Sequence, residues 1–237
     1  MNQAERRIRL INALLNERAD GRGIAVPAGA GEQRDLLRAL MNVRSPEALA
    51  TEVLNVQDAY LQQRLVERGG ATDASTLPYR NRIAVWRGDI TLLKADAIVN
   101  AGMQLRLICA GLMCKQGHEE PTARVKVTPA FNLPSSHIFH TVGPIVPSHK
   151  PGPREELLLR RCYTSCLEEA TRRKLDTLAF CCISTGVFGY PQQAAARVAI
   201  DAVRHHLDHN DPNLKVIFNV FLASDESIYR DLLQADR

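Results

Sequence analysis

Along the first 66 residues apolar positions recur every three or four places, the period of helices that bury one face. Ile8, Ile11, Leu14 and Leu15 make one stripe, Leu36, Leu37, Leu40 and Met41 a second, and Leu49, Val53, Val56 and Tyr60 a third. A turn-rich break from Ala19 to Gly31 separates the first two stripes. Ser45 followed by Pro46 reads as a helix start, a capping hydroxyl ahead of a ring whose fixed φ suits the first helical position. Gly69, Gly70, Ser75 and Pro78 then interrupt the pattern. Residues 1–80 are therefore expected to form a helical extension that docks as a structural or partner-facing appendage, and residues 81–237 the main domain.

From Arg82 the pattern changes to short apolar runs alternating with helical stretches. Strands are expected at Ile83 to Trp86, Ala97 to Val99, Val125 to Thr128, Ile138 to Val142, Thr177 to Ile183 and Val216 to Leu222. Helices are expected at Gly102 to Lys115, Arg154 to Arg173, residues 192–207, and from Asp225 to about Gln234 with Ser224 as its cap. Such alternation predicts an α/β/α sandwich with a largely parallel or mixed sheet. Ligands in such folds sit at the C-terminal ends of strands, where Asp89, Asn100 and the loop after Ile183 all fall.

The run from Leu178 to Pro191 is the centre of the chain. Its first half is unbroken apolar sequence, expected for a strand buried on both faces. Ser184, Thr185, Gly186 and Gly189 follow as a small-residue turn, and after Pro191 the residues Ala195, Val198, Ala199, Ala202 and Val203 repeat at helical spacing. Strand, glycine loop and helix start together suit a phosphate or pyrophosphate, because glycines admit close approach and N–H groups near a helix start point outward. An ordinary strand-to-helix connection is the alternative reading of the same residues.

Composition changes the picture only at its edges. With 237 residues, 45% hydrophobic and 24% charged, the chain fits a soluble globular protein of one large domain plus an appendage. The N-terminus leads into an amphipathic helix rather than a signal-peptide core, which places the protein in the cytoplasm, with no membrane partner. Cys109, Cys114, Cys162, Cys166, Cys181 and Cys182 fall mostly on expected helices or buried strands, as reduced thiols do. A dispersed net charge of +4 and 5% aromatics argue against a nucleic-acid surface.

Four segments, taken in order, carry a resemblance: Trp-Arg-Gly-Asp-Ile-Thr (86–91), Ala-Asp-Ala-Ile-Val-Asn-Ala (95–101), His-Thr-Val-Gly-Pro (140–144) and Phe-Cys-Cys-Ile-Ser-Thr-Gly-Val-Phe (180–188). They resemble macrodomains, and more narrowly the zinc-dependent bacterial and fungal subfamily that removes ADP-ribose from modified proteins and has a helical N-terminal extension. The resemblance implies a three-layer α/β/α macrodomain with ADP-ribose and ADP-ribosylated protein as partners. It implies that Asp89 accepts the adenine amine, with the Ile90 N–H beside it, and that Asn100 holds the distal ribose at the catalytic centre. Ser184, Thr185, Gly186, Val187 and Phe188 would wrap the diphosphate and distal ribose, mainly through backbone N–H groups.

The chain departs from that pattern at one place. In the subfamily, Asn-Ala is followed by Ala-Asn-Ser and a loop with zinc-binding cysteines and histidine; here Asn100 and Ala101 run directly into Gly102, Met103, Gln104, Leu105 and Arg106. The family's zinc ligands have no counterpart, so no metal is expected; Cys109, Cys114 and His118 are of a suitable type for a replacement site but lie only loosely on one helical face. Three readings stand: a hydrolase of the ADP-ribosyl bond, a catalytically impaired ADP-ribose-binding module, and a truncated product unable to fold.

Overall fold

The computed structural model describes residues 1–18, 23–44, 49–101 and 122–235. Within them lie two compact units, one holding residues 1–70 and the other residues 71–101 and 122–235. The expected helix over Gly102 to Lys115 and the Ser45–Pro46 start lie outside the described residues.

The first unit contains three helices, α1 (Gln3–Asn16), α2 (Ala30–Val43) and α3 (Thr51–Glu67). Asn2 starts α1 by accepting the Glu5 N–H at 2.9 Å while the Glu5 carboxylate accepts the Asn2 N–H at 2.9 Å, a reciprocal cap that satisfies two otherwise orphaned donors. Leu10, Ile11, Leu14, Leu15, Leu37, Leu40 and Tyr60 form its core. Ile8, expected in that stripe, is instead 39% exposed; Arg7 takes the inward place, its guanidinium donating to the Gln33 amide oxygen at 2.9 Å. Gly69 and Gly70 close α3 in the left-handed region, φ +95° and +79°, which lets the Gly70 N–H reach the Leu65 carbonyl.

The second unit carries the expected alternation. Its main sheet, among the described residues, has six strands: β2 (Ile83–Arg87), β4 (Ala97–Asn100), β5 (Val125–Pro129), β6 (His137–Thr141), β7 (Thr177–Phe180) and β8 (Lys215–Val220). They lie in the order β2-β8-β7-β4-β6-β5, all neighbours parallel except the antiparallel β5 at the edge. Two further strands, β1 (Thr72–Asp73) and β3 (Leu93–Lys94), pair with each other. Helices α4 (Pro153–Arg172), α5 (Gln192–His209) and α6 (Ala223–Ala235) complete the described elements.

Val216 to Val220 are buried without alternation, as a strand covered on both faces requires. Tyr163 of α4 packs on Phe180 of β7 with ring centroids 4.9 Å apart, and Tyr229 of α6 on Phe218 of β8 at 4.8 Å. Each such full burial of a large side chain contributes roughly 1.5–3 kcal/mol. Asp96, just before β4, fixes the start of β7: its carboxylate accepts the N–H groups of Asp176 and Thr177 at 2.9 and 2.8 Å.

Several boundaries shift from expectation, three of them next to the strand ends. β7 stops at Phe180 rather than Ile183, because its β8 ladder ends at the Phe180–Phe218 pair. β8 stops at Val220, leaving Phe221 and Leu222 outside the sheet and exposed. The last helix begins at Ala223, so Ser224 lies inside it rather than capping it; the Glu226 N–H already reaches the Leu222 carbonyl. Among the described residues no helix is long and apolar enough to cross a membrane.

Candidate functional site

Four parallel neighbours, β2, β8, β7 and β4, end on the same edge of the sheet. At about 4.8 Å per strand their C-terminal ends span roughly 14 Å. Asp89 stands at the β2 end, Phe221 at the β8 end, residues 181–189 at the β7 end, and Asn100 at the β4 end. The fold thus places at the C-terminal edge of the sheet the residues that the sequence predicts to lie at strand ends.

The β2 end is tightly built. Gly88 donates its N–H to the Val220 carbonyl at 3.1 Å and its carbonyl accepts the Asn219 amide at 2.9 Å. A Cβ on Gly88 would come within 2.6 Å of the Trp86 indole, so only glycine fits under that ring. Asp89 follows as the cap of a 3-10 turn over Ile90–Leu92, its Oδ1 accepting the Thr91 N–H at 2.9 Å and hydroxyl at 2.6 Å. Ile90 is the first residue of that turn, where helical geometry provides no internal acceptor for the N–H.

The β7 end is a loop bent back on itself. Ser184 adopts φ +66° and packs its side chain against Gly143, where an added Cβ would lie 2.1 Å from the Ser184 Oγ. That hydroxyl is buried against Gly143 without a hydrogen-bond partner, so it offers a ligand little surface. The Thr185 hydroxyl donates to the Cys182 carbonyl at 3.2 Å. Gly189 donates to the Gly186 carbonyl at 2.9 Å and Tyr190 to the Ser184 carbonyl at 3.0 Å. From outside, Val146 donates its N–H to the Phe188 carbonyl at 2.6 Å, and the His149 Nδ1–H donates to the Gly189 carbonyl at 2.8 Å.

These bonds leave the N–H groups of Thr185, Gly186, Val187 and Phe188 without an acceptor among the described residues. A Cβ on Gly186 would meet nothing within 4 Å, and Val187 is 97% exposed. A run of N–H groups without acceptors beside open space is a set of donors available to an anion.

At the β4 end, Asn100 stands in register with His140 of β6. His140 is buried, its Nε2 2.8 Å from the Thr128 hydroxyl, and burial holds its pKa below the usual value, so the ring is neutral at pH 7. Burial likewise raises the Cys181 and Cys182 thiols, the latter to about 12. Neither is a ready thiolate nucleophile at pH 7. Among the described residues no three His, Cys, Asp or Glu side chains are placed to hold a metal ion. Cys109, Cys114 and His118 lie outside the described residues.

The sequence did not point to Phe221, an aromatic ring 76% exposed at the centre of the crevice. After Asn219 the run Val-Phe-Leu stays apolar, and no turn residue within it marks where the chain leaves the core. Asn219 had a legible signal, a single amide within Val-Ile-Phe-Asn-Val-Phe. A cavity of about 870 Å³ lies elsewhere, at the opposite end of β2 between α5 and α6, lined by Arg80, Arg82, Arg204, Asp208 and Arg230. There Arg82 pairs with Asp208 at 2.8 Å and Arg230 with Glu226 at 2.8 Å, so structural bonds engage these cations. The strand ends, with glycines in close approach and open donors, are the better candidate.

A family model described as Macro domain matches residues 95–199. A protein-ADP-ribose hydrolase of Treponema medium is 44% identical over 261 aligned residues, covering 98% of this chain and 100% of the relative. An Oceanobacillus iheyensis macrodomain solved with ADP is 34% identical, with a TM-score of 0.59 over 65% of this chain and 90% of that one. A Trypanosoma brucei macrodomain in complex with ADP-ribose is 26% identical, with a TM-score of 0.59 over 79% of this chain and 92% of that one. With its mixed sheet, its flanking helices and these similarities, the chain belongs to the macro domain family.

Proposed function

We propose that the crevice binds ADP-ribose and that the protein acts on ADP-ribosylated protein, as the name of its Treponema medium relative suggests. The observation that carries this reading is the row of four N–H groups from Thr185 to Phe188, between a carboxylate two strands away on one side and an amide one strand away on the other. A diphosphate fits the row, adenine the Asp89 end with its amine on the carboxylate and the Ile90 N–H beside it, and the distal ribose the Asn100 end. Phe221 offers an apolar face for the base. Residues 1–80 are the helical extension and 81–237 the macrodomain in this proposal. Free thiols at Cys162, Cys166, Cys181 and Cys182 suit a reducing compartment such as the cytoplasm.

A second reading, a binder with impaired turnover, rests on a specific observation. The alignment to the Treponema medium protein runs over 261 positions although this chain has 237 residues, so at least 24 of them face a gap here. The junction of Ala101 with Gly102, where the subfamily's metal loop is missing, is the natural place for it. The described residues do not fit a zinc ion, and no step is assigned to one. What this chain's own residues do is bind and orient: the loop anchors the diphosphate, and Asn100 fixes the ribose.

Calorimetric titration with ADP-ribose tests the site. Asp89→Ala loses a hydrogen bond to a charged acceptor, about 1.5–3 kcal/mol, or roughly ten- to 150-fold in affinity. Asp89→Asn keeps an oxygen for the Thr91 cap but presents an amide to the base, and loses affinity with the turn intact. Unchanged binding in both variants would remove Asp89 from the site.

A further inference from the structure

Asn219 is a buried amide, 6% exposed, in a strand whose neighbours Val216, Ile217, Phe218 and Val220 are all buried and apolar. Its Nδ2 lies 2.9 Å from the Gly88 carbonyl and 3.4 Å from the Trp86 carbonyl. Carbonyls only accept, so the amide must present its NH₂ to β2. The last backbone bond joining β2 to β8 is the one from the Gly88 N–H to the Val220 carbonyl; the Asn219 side chain secures the other polar group of the same residue. Gly88 is thereby held at both ends, one peptide before Asp89. The backbone carbonyl of Asn219 also faces the Cys182 thiol at 3.7 Å, at the exit of β7.

We propose that Asn219 is a positioning residue that sets the base selectivity of the crevice, by fixing the peptide that aims Asp89. The inference rests on the ADP-ribose reading above. An amine on the purine is distinguished from a carbonyl only if the accepting carboxylate is held in place, because hydrogen bonds weaken steeply with misalignment. Without the amide, the Gly88 carbonyl is left without its side-chain donor and Asp89 gains freedom. An aspartate at 219 keeps the volume but sets a carboxylate against two carbonyls, which gives the same release without a cavity.

The test uses the full chain, with ADP-ribose and its hypoxanthine counterpart, which carries a carbonyl where adenine has the amine. The wild type is expected to prefer ADP-ribose by at least about tenfold, the size of one charge-assisted hydrogen bond. Asn219→Ala and Asn219→Asp are expected to lower ADP-ribose affinity by about that factor, leave the hypoxanthine ligand within about twofold, and so abolish the preference. Equal losses for both ligands, or an unchanged preference in folded variants, overturn the inference. Hydrogen exchange of the free protein reads the same device without a ligand: the Thr91 and Leu92 amides, bonded to Asp89, exchange faster in Asn219→Ala while those of β7 and β4 do not. Failure of the wild type to bind either ligand overturns the ADP-ribose reading and the selectivity role with it; absence of faster exchange overturns the positioning role alone.

Discussion

Gly186 and Ser184 sit two residues apart in the same loop, one beside open space and the other buried. Space beside Gly186 is open, so Gly186→Val is expected to leave the fold intact and lower ADP-ribose affinity at least about tenfold, by filling the diphosphate's place and restricting the backbone. Ser184→Ala removes a hydroxyl that is buried and unpartnered, and is expected to change affinity less than about threefold. Titration ranking the two the other way would show that the loop binds through side chains. Histidines supply a pH dependence. His206 accepts from the Asn210 amide through Nδ1, while its Nε2–H donates to the Thr171 hydroxyl at 2.9 Å; burial lowers its pKa despite the opposing charge of Asp211, and burial lowers that of His140 too. Above about pH 6.5 both rings are neutral folded or unfolded. As pH falls through that value, the unfolded chain takes up protons that the folded chain resists, so stability declines on acidification. Melting temperature is expected to drop between pH 7.5 and 5.5, and to drop less in His206→Gln; an identical slope would remove His206 from the account. At this scale the strand-end positions of Asp89 and Asn100 were legible, because each follows a short apolar run. The inward turn of Ser184 was not, since it follows from a positive φ that no residue type announces.

The loop after β7 is shaped both by its own bonds and by the segment at 143–149. Gly143 leaves room for Ser184, and Val146 and His149 hold the carbonyls of Phe188 and Gly189. Gly143→Ala is therefore expected to disrupt the site more than any single polar substitution within the loop. Its Cβ would overlap the Ser184 Oγ and Ile183 Cγ2, and overpacking of this kind costs about 1–3 kcal/mol. Both the melting temperature and ADP-ribose affinity should fall; a variant with wild-type values of both would show that the loop repacks freely. The elements themselves were largely readable from periodicity, and their ends were not. β7 and β8 are buried on both faces, so no alternation marks where pairing stops. β1 and β3, two residues each, are too short to carry a period at all.

For the whole molecule, the family and its order of elements were legible because the motifs follow one another at the right places. The consequence of the junction between Ala101 and Gly102 was not, since sequence alone does not measure rate. Hydrolysis requires an activated oxygen aligned on the anomeric carbon, and loose positioning alone can cost about 100-fold. The chain as written is expected to release labelled ADP-ribose from a modified protein at least that much more slowly than a version with a family-like metal loop inserted after Ala101, and to purify with well under one zinc per chain. Equal single-turnover rates would show that the residues present carry the chemistry, and a stoichiometric metal would turn attention to Cys109, Cys114 and His118. The pairing of β2 with β8 sets a different limit, on the order of assembly. Ile83 lies beside Val216 and Arg87 beside Val220, so the first long strand of the sheet waits for the last one. Contacts so distant along the chain close late and fold slowly. On a ribosome, the sheet edge that carries Asp89 stays unformed until Val216–Val220 have emerged, so the ordering of that edge reports that β8 has been made.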